Sequence, residues 1–202
     1  MLELLLASGC NVDARGEGGQ TALLAATEEG LGSCVERLLD HGADVNKANF
    51  EGDAYPGYAE LCSLTFSCRA HVVLTGIHNL LVVVCIVGMT PLIVACMENH
   101  EDMVNYFLDH TQEPYRVKVH PNSLQQQPHL QVVENAQGEK ACEGKWILAT
   151  QTQVLDCNKA EKTEGETPLL VCIRLRNDKI AKTILKKAKS IDLEAKVSMH
   201  SC

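Results

Sequence analysis

Aromatic side chains are scarce in this chain of 202 residues, making up 4% of it with a single tryptophan. That scarcity disfavours β folds packed around large rings. A positive balance is missing as well. The formal net charge of −8 argues against a general nucleic-acid binder, whose affinity rests on neutralising phosphates with Lys and Arg. No Cys-x-x-Cys pair occurs among the ten cysteines, and no basic stretch precedes the short apolar run at Leu2–Leu6. Neither a disulfide framework nor a secretory signal is expected. Reduced thiols point to the cytoplasm, with the nucleus as the second option.

Signatures of catalysis are lacking too. Gly16-Glu17-Gly18-Gly19 has no Lys-Ser/Thr after it, so it does not read as a phosphate-cradling loop. There is no Gly-x-Ser-x-Gly elbow and no His-Glu-x-x-His helix. Cys62, Cys68, His71 and His78 match no short-loop zinc spacing. His41 and His110 stand at equivalent helix ends, where imidazoles pair with terminal carbonyls. The expectation is a chain that is not an enzyme, with no catalytic residue, cofactor or metal.

What is present is an ordinary globular composition, 46% hydrophobic and 22% charged, with its charge unevenly spread. Residues 1–53 carry three basic and ten acidic side chains, a balance of −7. Residues 159–196 carry ten basic and six acidic ones, a balance of +4. The basic run from Arg174 to Lys189 reads as a solvated helical face, with a nuclear-localisation or acidic-partner patch as the alternative.

Internal repetition organises the chain. Leu6 and Leu39, Gly9 and Gly42, Val12 and Val45, and Asp13 and Asn46 are each separated by 33 residues. Three segments open alike, at Thr21-Ala22-Leu23, Thr90-Pro91-Leu92 and Thr167-Pro168-Leu169. From those threonines, 17 and 18 residues on, come Leu38-Leu39, Phe107-Leu108 and Ile184-Leu185. A threonine cap with proline in the first turn starts a helix without losing a useful N–H. Small residues inside it (Ala25, Ala26; Val94, Ala95; Val171, Cys172) admit a second helix at close range, and Gly42 suits the left-handed position that ends one.

A 33-residue helix–turn–helix–hairpin unit opening Thr-Pro-Leu resembles the ankyrin repeat. The resemblance implies an all-α repeat solenoid, interrupted by two long inserts. Residues 1–53 hold a partial first repeat and a complete second one. Residues 54–89 form an apolar insert, 90–111 the third repeat's helices, 112–155 a polar insert and 156–197 the fourth repeat. Uncovered apolar faces at both ends would suit a fragment or splice form of a longer array.

Both inserts raise alternatives. No Asp, Glu, Lys or Arg occurs in residues 70–97, a stretch longer than the ~20 residues that span a bilayer. A membrane-tethered protein is therefore the second reading, with a packed loop or translated non-coding sequence as further explanations of 54–89. The polar insert is rich in Gln and Pro and is expected to be a mobile loop. Lys145-Trp146-Ile147-Leu148 forms a sticky patch on that loop or a short strand.

In the ankyrin family, hairpin tips and the exposed face of helix one line a concave partner surface. The resemblance carries that role onto Arg15, Glu17, Gln20, Glu28 and Glu29, then Ala48, Phe50, Glu51 and Asp53, then Met97 and Glu98, and finally Thr163, Glu164, Arg174 and Leu175. Carboxylates around Phe50 favour a basic protein partner with an apolar anchor. Asn46 resembles the position at which ankyrin asparagines are hydroxylated, although its amide is also suited to bracing the hairpin. The function implied is a non-catalytic adaptor that binds a protein, not nucleic acid.

Overall fold

The computed structural model describes residues 1–16, 19–49, 88–132, 146–161 and 165–193. Among them are eight helices and three strands. Helix α1 (Leu2–Ala7) is followed by α2 (Ala22–Glu28) and α3 (Gly32–Asp40), then α4 (Pro91–Met97) and α5 (Glu101–His110). Strand β1 (Tyr115–Val119), helix α6 (Pro121–Leu124), β2 (Leu130–Val132) and β3 (Ile147–Gln151) come next, and α7 (Pro168–Arg174) and α8 (Asp178–Lys187) complete the order.

The three helical pairs α2–α3, α4–α5 and α7–α8 are built by one local code. The Thr21, Thr90 and Thr167 hydroxyls accept the N–H groups of Leu24, Ile93 and Leu170 at 3.3, 3.4 and 3.4 Å. Each cap satisfies one of the free donors at a helix start. Nine residues beyond each threonine the chain turns left-handed, at Gly30 (φ 72°), Asn99 (60°) and Arg176 (56°). The next residue's N–H then reaches back to the helix: Leu31 to Ala26 O at 2.8 Å, His100 to Ala95 O at 2.9 Å and Asn177 to Cys172 O at 2.8 Å. This is the Schellman termination, which settles the last carbonyls of helix one and aims helix two back along it.

The pairs stack in order. Helix α4 packs between α2 and α7, and α5 packs against α8. One hydrophobic core runs through all of them, from Leu6 and Val35 through Ile93, Val104 and Phe107 to Val171, Ile180 and Ile184. Burial of that apolar face supplies the stability that short helices of this length lack by themselves.

Hairpins close between successive pairs. The N–H of Gly16 donates to Gln20 O at 2.8 Å. At the equivalent place Asn49 N–H donates to Met89 O at 3.1 Å, and Gly88 N–H donates to Asn49 O at 3.2 Å. Glu161 N–H donates to Glu166 O at 3.0 Å in the third. Gly88 and Met89 thus hold the places of Gly19 and Gln20, so the repeat resumes two residues before Thr90. Gly19, Gly88 and Gly165 each stand two residues ahead of a capping threonine, with φ of 69°, 84° and 73°.

The third repeat owns a hairpin entry that 33-residue spacing conceals. Leu155-Asp156-Cys157-Asn158-Lys159-Ala160 matches Ala43-Asp44-Val45-Asn46-Lys47-Ala48. A ladder of side chains joins these loops. Asp13 accepts the N–H of Asp44 at 2.9 Å, Asn46 that of Asp156 at 2.8 Å and Asn158 that of Asp192 at 2.8 Å.

The described residues between Thr111 and Leu155, 112–132 and 146–154, are not the solvated loop expected of their polar composition, and the expectation of an all-α chain is corrected accordingly. They include an antiparallel sheet in the order β1-β3-β2, pairing Val117 with Ala149 and Val132 with Ala149. The reason lies in alternation. Val117 and Val119 turn inward while Arg116 and Lys118 turn out, the period-2 pattern of a half-buried strand. Val117, Val119, Leu130 and Ala149 make a second small core. Trp146, read as part of a loop patch, precedes the central strand and sets its ring edge-on to His41 with centroids 5.0 Å apart.

This sheet is docked on the first two repeats. Val119 and Leu130 lie over Gly42, where an added Cβ would stand 3.1 and 2.9 Å from their methyl carbons. The carbonyl of Gly42, just past the end of α3, accepts from Gln127 Nε2 at 3.5 Å and lies 3.0 Å from His129 Nε2. Gln151 Nε2 donates to Ala43 O at 3.4 Å, and Ser123 Oγ donates to Cys10 O at 3.0 Å. The insert satisfies carbonyls that the helix ends leave open.

Candidate functional site

The last turns of the three first helices each carry exposed side chains. Seven and eight residues beyond the capping threonines come Glu28 and Glu29 in the second repeat, Met97 and Glu98 in the third, and Arg174 and Leu175 in the fourth. Glu28, Glu29, Glu98 and Arg174 are exposed, Met97 is half-buried and Leu175 is 43% exposed. Repetition therefore sets them in register across neighbouring helices. The column passes from paired carboxylates, through a thioether and one carboxylate, to a guanidinium beside a leucine. Ile173 is 61% exposed, but it stands at the position where Thr27 and Cys96 are 0% exposed against neighbouring repeats, so it does not belong to this column.

Two of these charges are held by neighbours. Gln20 Nε2 donates to Glu28 at 2.7 Å, and the carbonyl of Glu28 lies 3.2 Å from His100 Nε2 in the next repeat. Arg174 Nε donates to both carboxylate oxygens of Glu166, at 3.0 and 2.7 Å. Glu166 is 9% exposed at its side chain, so Arg174 neutralises a nearly buried carboxylate and is only partly available to a partner.

Arg15 is exposed beside the first hairpin and Gln20 at its far side. Ala48, by contrast, is 1% exposed. It was read as surface from its place near a hairpin tip, and the structure corrects this: the Ala48 methyl is packed inside and offers no contact area. Glu17, Phe50, Glu51, Asp53, Thr163 and Glu164 lie outside the described residues, as do Cys62, Cys68, His71 and His78. Of the apolar stretch 70–97, residues 70–87 also lie outside them. Its remainder enters α4, where Leu92, Ile93, Ala95 and Cys96 are 0% exposed in the core. No helix among the described residues is long and apolar enough to cross a membrane.

Asn46 is 5% exposed and bonds through both ends of its amide. Its Nδ2 donates to Val154 O at 2.6 Å, and its Oδ1 accepts from Asp156 N–H. It ties the second repeat's loop to both the exit of the insert and the third repeat's loop. Bracing of the hairpin, the role its amide suits, is what these bonds supply.

Asp13, its counterpart one repeat earlier, is 6% exposed and sits 3.7 Å from His129 Nε2. Burial pushes the Asp13 carboxyl above its ordinary value, against the lowering effects of the Asp44 N–H and His129. Among the thiols, burial pushes Cys157 up to about 11. Cys96 is pushed well up by its hydrogen bond with Cys172 and by burial, and Cys172 is lowered as the partner in that bond. A nucleophilic thiolate is disfavoured at Cys96 and Cys157. Among the described residues no group of His, Cys, Asp or Glu side chains is arranged to hold a metal ion.

Comparison with known proteins agrees with the repeat architecture. The family model described as Ankyrin repeat matches residues 18–50 and 87–115, the second repeat with its hairpin and the two helices of the third. No curated relative matches the chain.

Proposed function

We infer that this chain, an ankyrin-repeat protein, is a non-catalytic adaptor that binds a protein partner through the concave side of its repeats. Ankyrin repeats suggest a protein-interaction module as a class. The observation that carries the finer reading is the register of Glu28-Glu29, Met97-Glu98 and Arg174-Leu175 on successive first helices. Stacking makes an extended solenoid surface from repeats that are each too small to bury a partner. On that surface the carboxylates set the approach, and Met97 and Leu175 offer apolar area.

The partner we propose is basic, with an apolar anchor, because the acidic end of the column is the freer one. Arg174 already serves Glu166, whereas Glu29 and Glu98 make no ion pair among the described residues. A reducing compartment, the cytoplasm or the nucleus, suits the five free described cysteines.

The test is charge reversal. Glu28→Lys with Glu29→Lys is expected to remove the chain's cross-linked partners while leaving its circular dichroism spectrum intact, since both side chains are exposed. An unchanged set of cross-linked proteins would move the binding surface elsewhere.

A further inference from the structure

At the end of the stack opposite the hairpins, the turns that join helix one to helix two in the second and third repeats bound a groove of about 500 Å³. Its floor is apolar, formed by Val35 at 1% and Met103 at 5% exposure. The half-buried ring of Tyr106 contributes a wall. Glu36 from α3 and Asp102 from α5 stand exposed on opposite rims, and neither forms an ion pair among the described residues. Glu101 also lines the groove, but it is paired with Lys179. Lys179 is thus already matched, and Glu36 and Asp102 are left without an ion pair of their own among the described residues.

The groove is held open by its own backbone. His100, between the repeats, lies 3.2 Å from Glu28 O through Nε2, and a Cβ on Gly30 would come within 3.0 Å of its ring. A Cβ on Gly32 would meet nothing within 4 Å, which marks the mouth. The Tyr106 hydroxyl is held above its ordinary value by burial and then by Asp40 and Glu36, as a negative local potential requires.

We propose that this groove seats an arginine side chain from a basic segment of a protein partner. A guanidinium is planar and weakly hydrated, so it stacks on a tyrosine face and forks onto carboxylates in one geometry. Its aliphatic stem covers Met103 and Val35 while the charged head stays at the rim. Lysine offers a point charge with neither the stacking nor the fork. An anion is repelled by Glu36 and Asp102, and a neutral apolar side chain would bury them without a counter-charge. This site lies on the turn side of the repeats, where Gly30 and Asn99 follow directly on Glu29 and Glu98 of the helix-one column, and separate variants distinguish the two readings.

The experiment is a fluorescence-anisotropy titration of the full chain with a blocked, labelled Gly-Ser peptide carrying two arginines, run beside its lysine counterpart. Saturable binding is expected for the arginine peptide and weaker binding for the lysine one. Glu36→Gln with Asp102→Asn is expected to weaken the arginine peptide about fivefold to tenfold, the scale of two partly exposed charge pairs. Tyr106→Leu is expected to remove the preference for arginine over lysine. Glu28→Gln with Glu29→Gln is the comparison that reports whether the helix-one column carries the peptide instead. The proposal is overturned if no saturable binding occurs, if the groove double variant binds as the parent does, or if Glu28 and Glu29 prove to carry the binding instead. Retained helicity of each variant by circular dichroism separates loss of the site from loss of the fold.

Discussion

The N–H of Leu155 donates to the carbonyl of Thr111 at 2.8 Å, although residues 112–154 run between them. Leu155 is the counterpart of Ala43, whose N–H meets Leu38 O at 3.0 Å at the end of helix two in the second repeat, and Thr111 is the counterpart of Gly42, the residue directly before Ala43. The polar insert therefore leaves and re-enters the repeat at adjacent points, and the helix-to-hairpin connection it interrupts is closed beneath it. Loop-closure entropy grows slowly with length, so a long excursion at such a place costs the stack little.

Deleting residues 112–154 is expected to leave the helical stack folded and the circular dichroism spectrum helical. The urea midpoint should fall by an amount equivalent to about 2–3 kcal/mol, because the bonds from Gln127, Gln151 and the insert's other polar groups to the α3 end are lost. Gly42→Ala is expected to cost about 2–3 kcal/mol in the full chain. There a left-handed φ of 86° is compounded by crowding against Leu130 and Val119. In the deletion variant the same substitution should cost about 1 kcal/mol, the backbone contribution alone. Equal costs in the two backgrounds, read by paired urea melts, would mean that the insert does not pack on Gly42.

Asp13→Asn is expected to stabilise the chain by about 1 kcal/mol near pH 8, the usual scale of a repeat-consensus change. Asn already serves the same ladder position at residues 46 and 158. The sign follows from linkage. The Asp13 carboxyl is raised in the folded state above its ordinary value of 3.8, so the native chain holds that proton more tightly and stability falls as pH rises through the raised value. His129 and Lys47 favour the charged carboxylate, and Asp44 opposes it. The advantage of asparagine should shrink below about pH 4, where Asp13 is protonated in both states. Thermal melts from pH 3 to pH 8 that run parallel for the two proteins would contradict this account.

Arg176→Gly is expected to raise stability by about 1 kcal/mol. Arg176 is exposed and left-handed at φ 56°, in the place that Gly30 fills in the second repeat, and glycine takes that conformation without the Cβ penalty. Its greater freedom in the unfolded chain offsets part of the gain. A lowered urea midpoint would show that the arginine side chain contributes a contact worth more than the strain.

Much of the repeat was legible because its code is local. The Thr-Pro openings, the small residues of helix one and the glycine at residue 42 each act on neighbours a few positions away, so their spacing survives in the sequence. The third repeat's hairpin is concealed in the sequence for a related reason. Asp156-Cys157-Asn158 copies Asp44-Val45-Asn46, but it lies beyond the insert, where a search at a 33-residue period does not reach. The surface assignment failed at Ala48 because place near a hairpin tip was taken for exposure, whereas a small side chain there packs inward.

What the sequence by itself determined, then, is the set of helical units and their caps, since helix signals depend on contacts within one or two turns. Only the tertiary structure decided that the polar segment pairs β1 with β3, that Gln127, His129 and Gln151 close over the end of α3, and that Glu36 and Asp102 face one groove. The strand partners are 28 to 36 residues apart, and the others are 80 or more apart or lie on different repeats. Their meeting depends on how elements stack, and no periodicity along the chain records it.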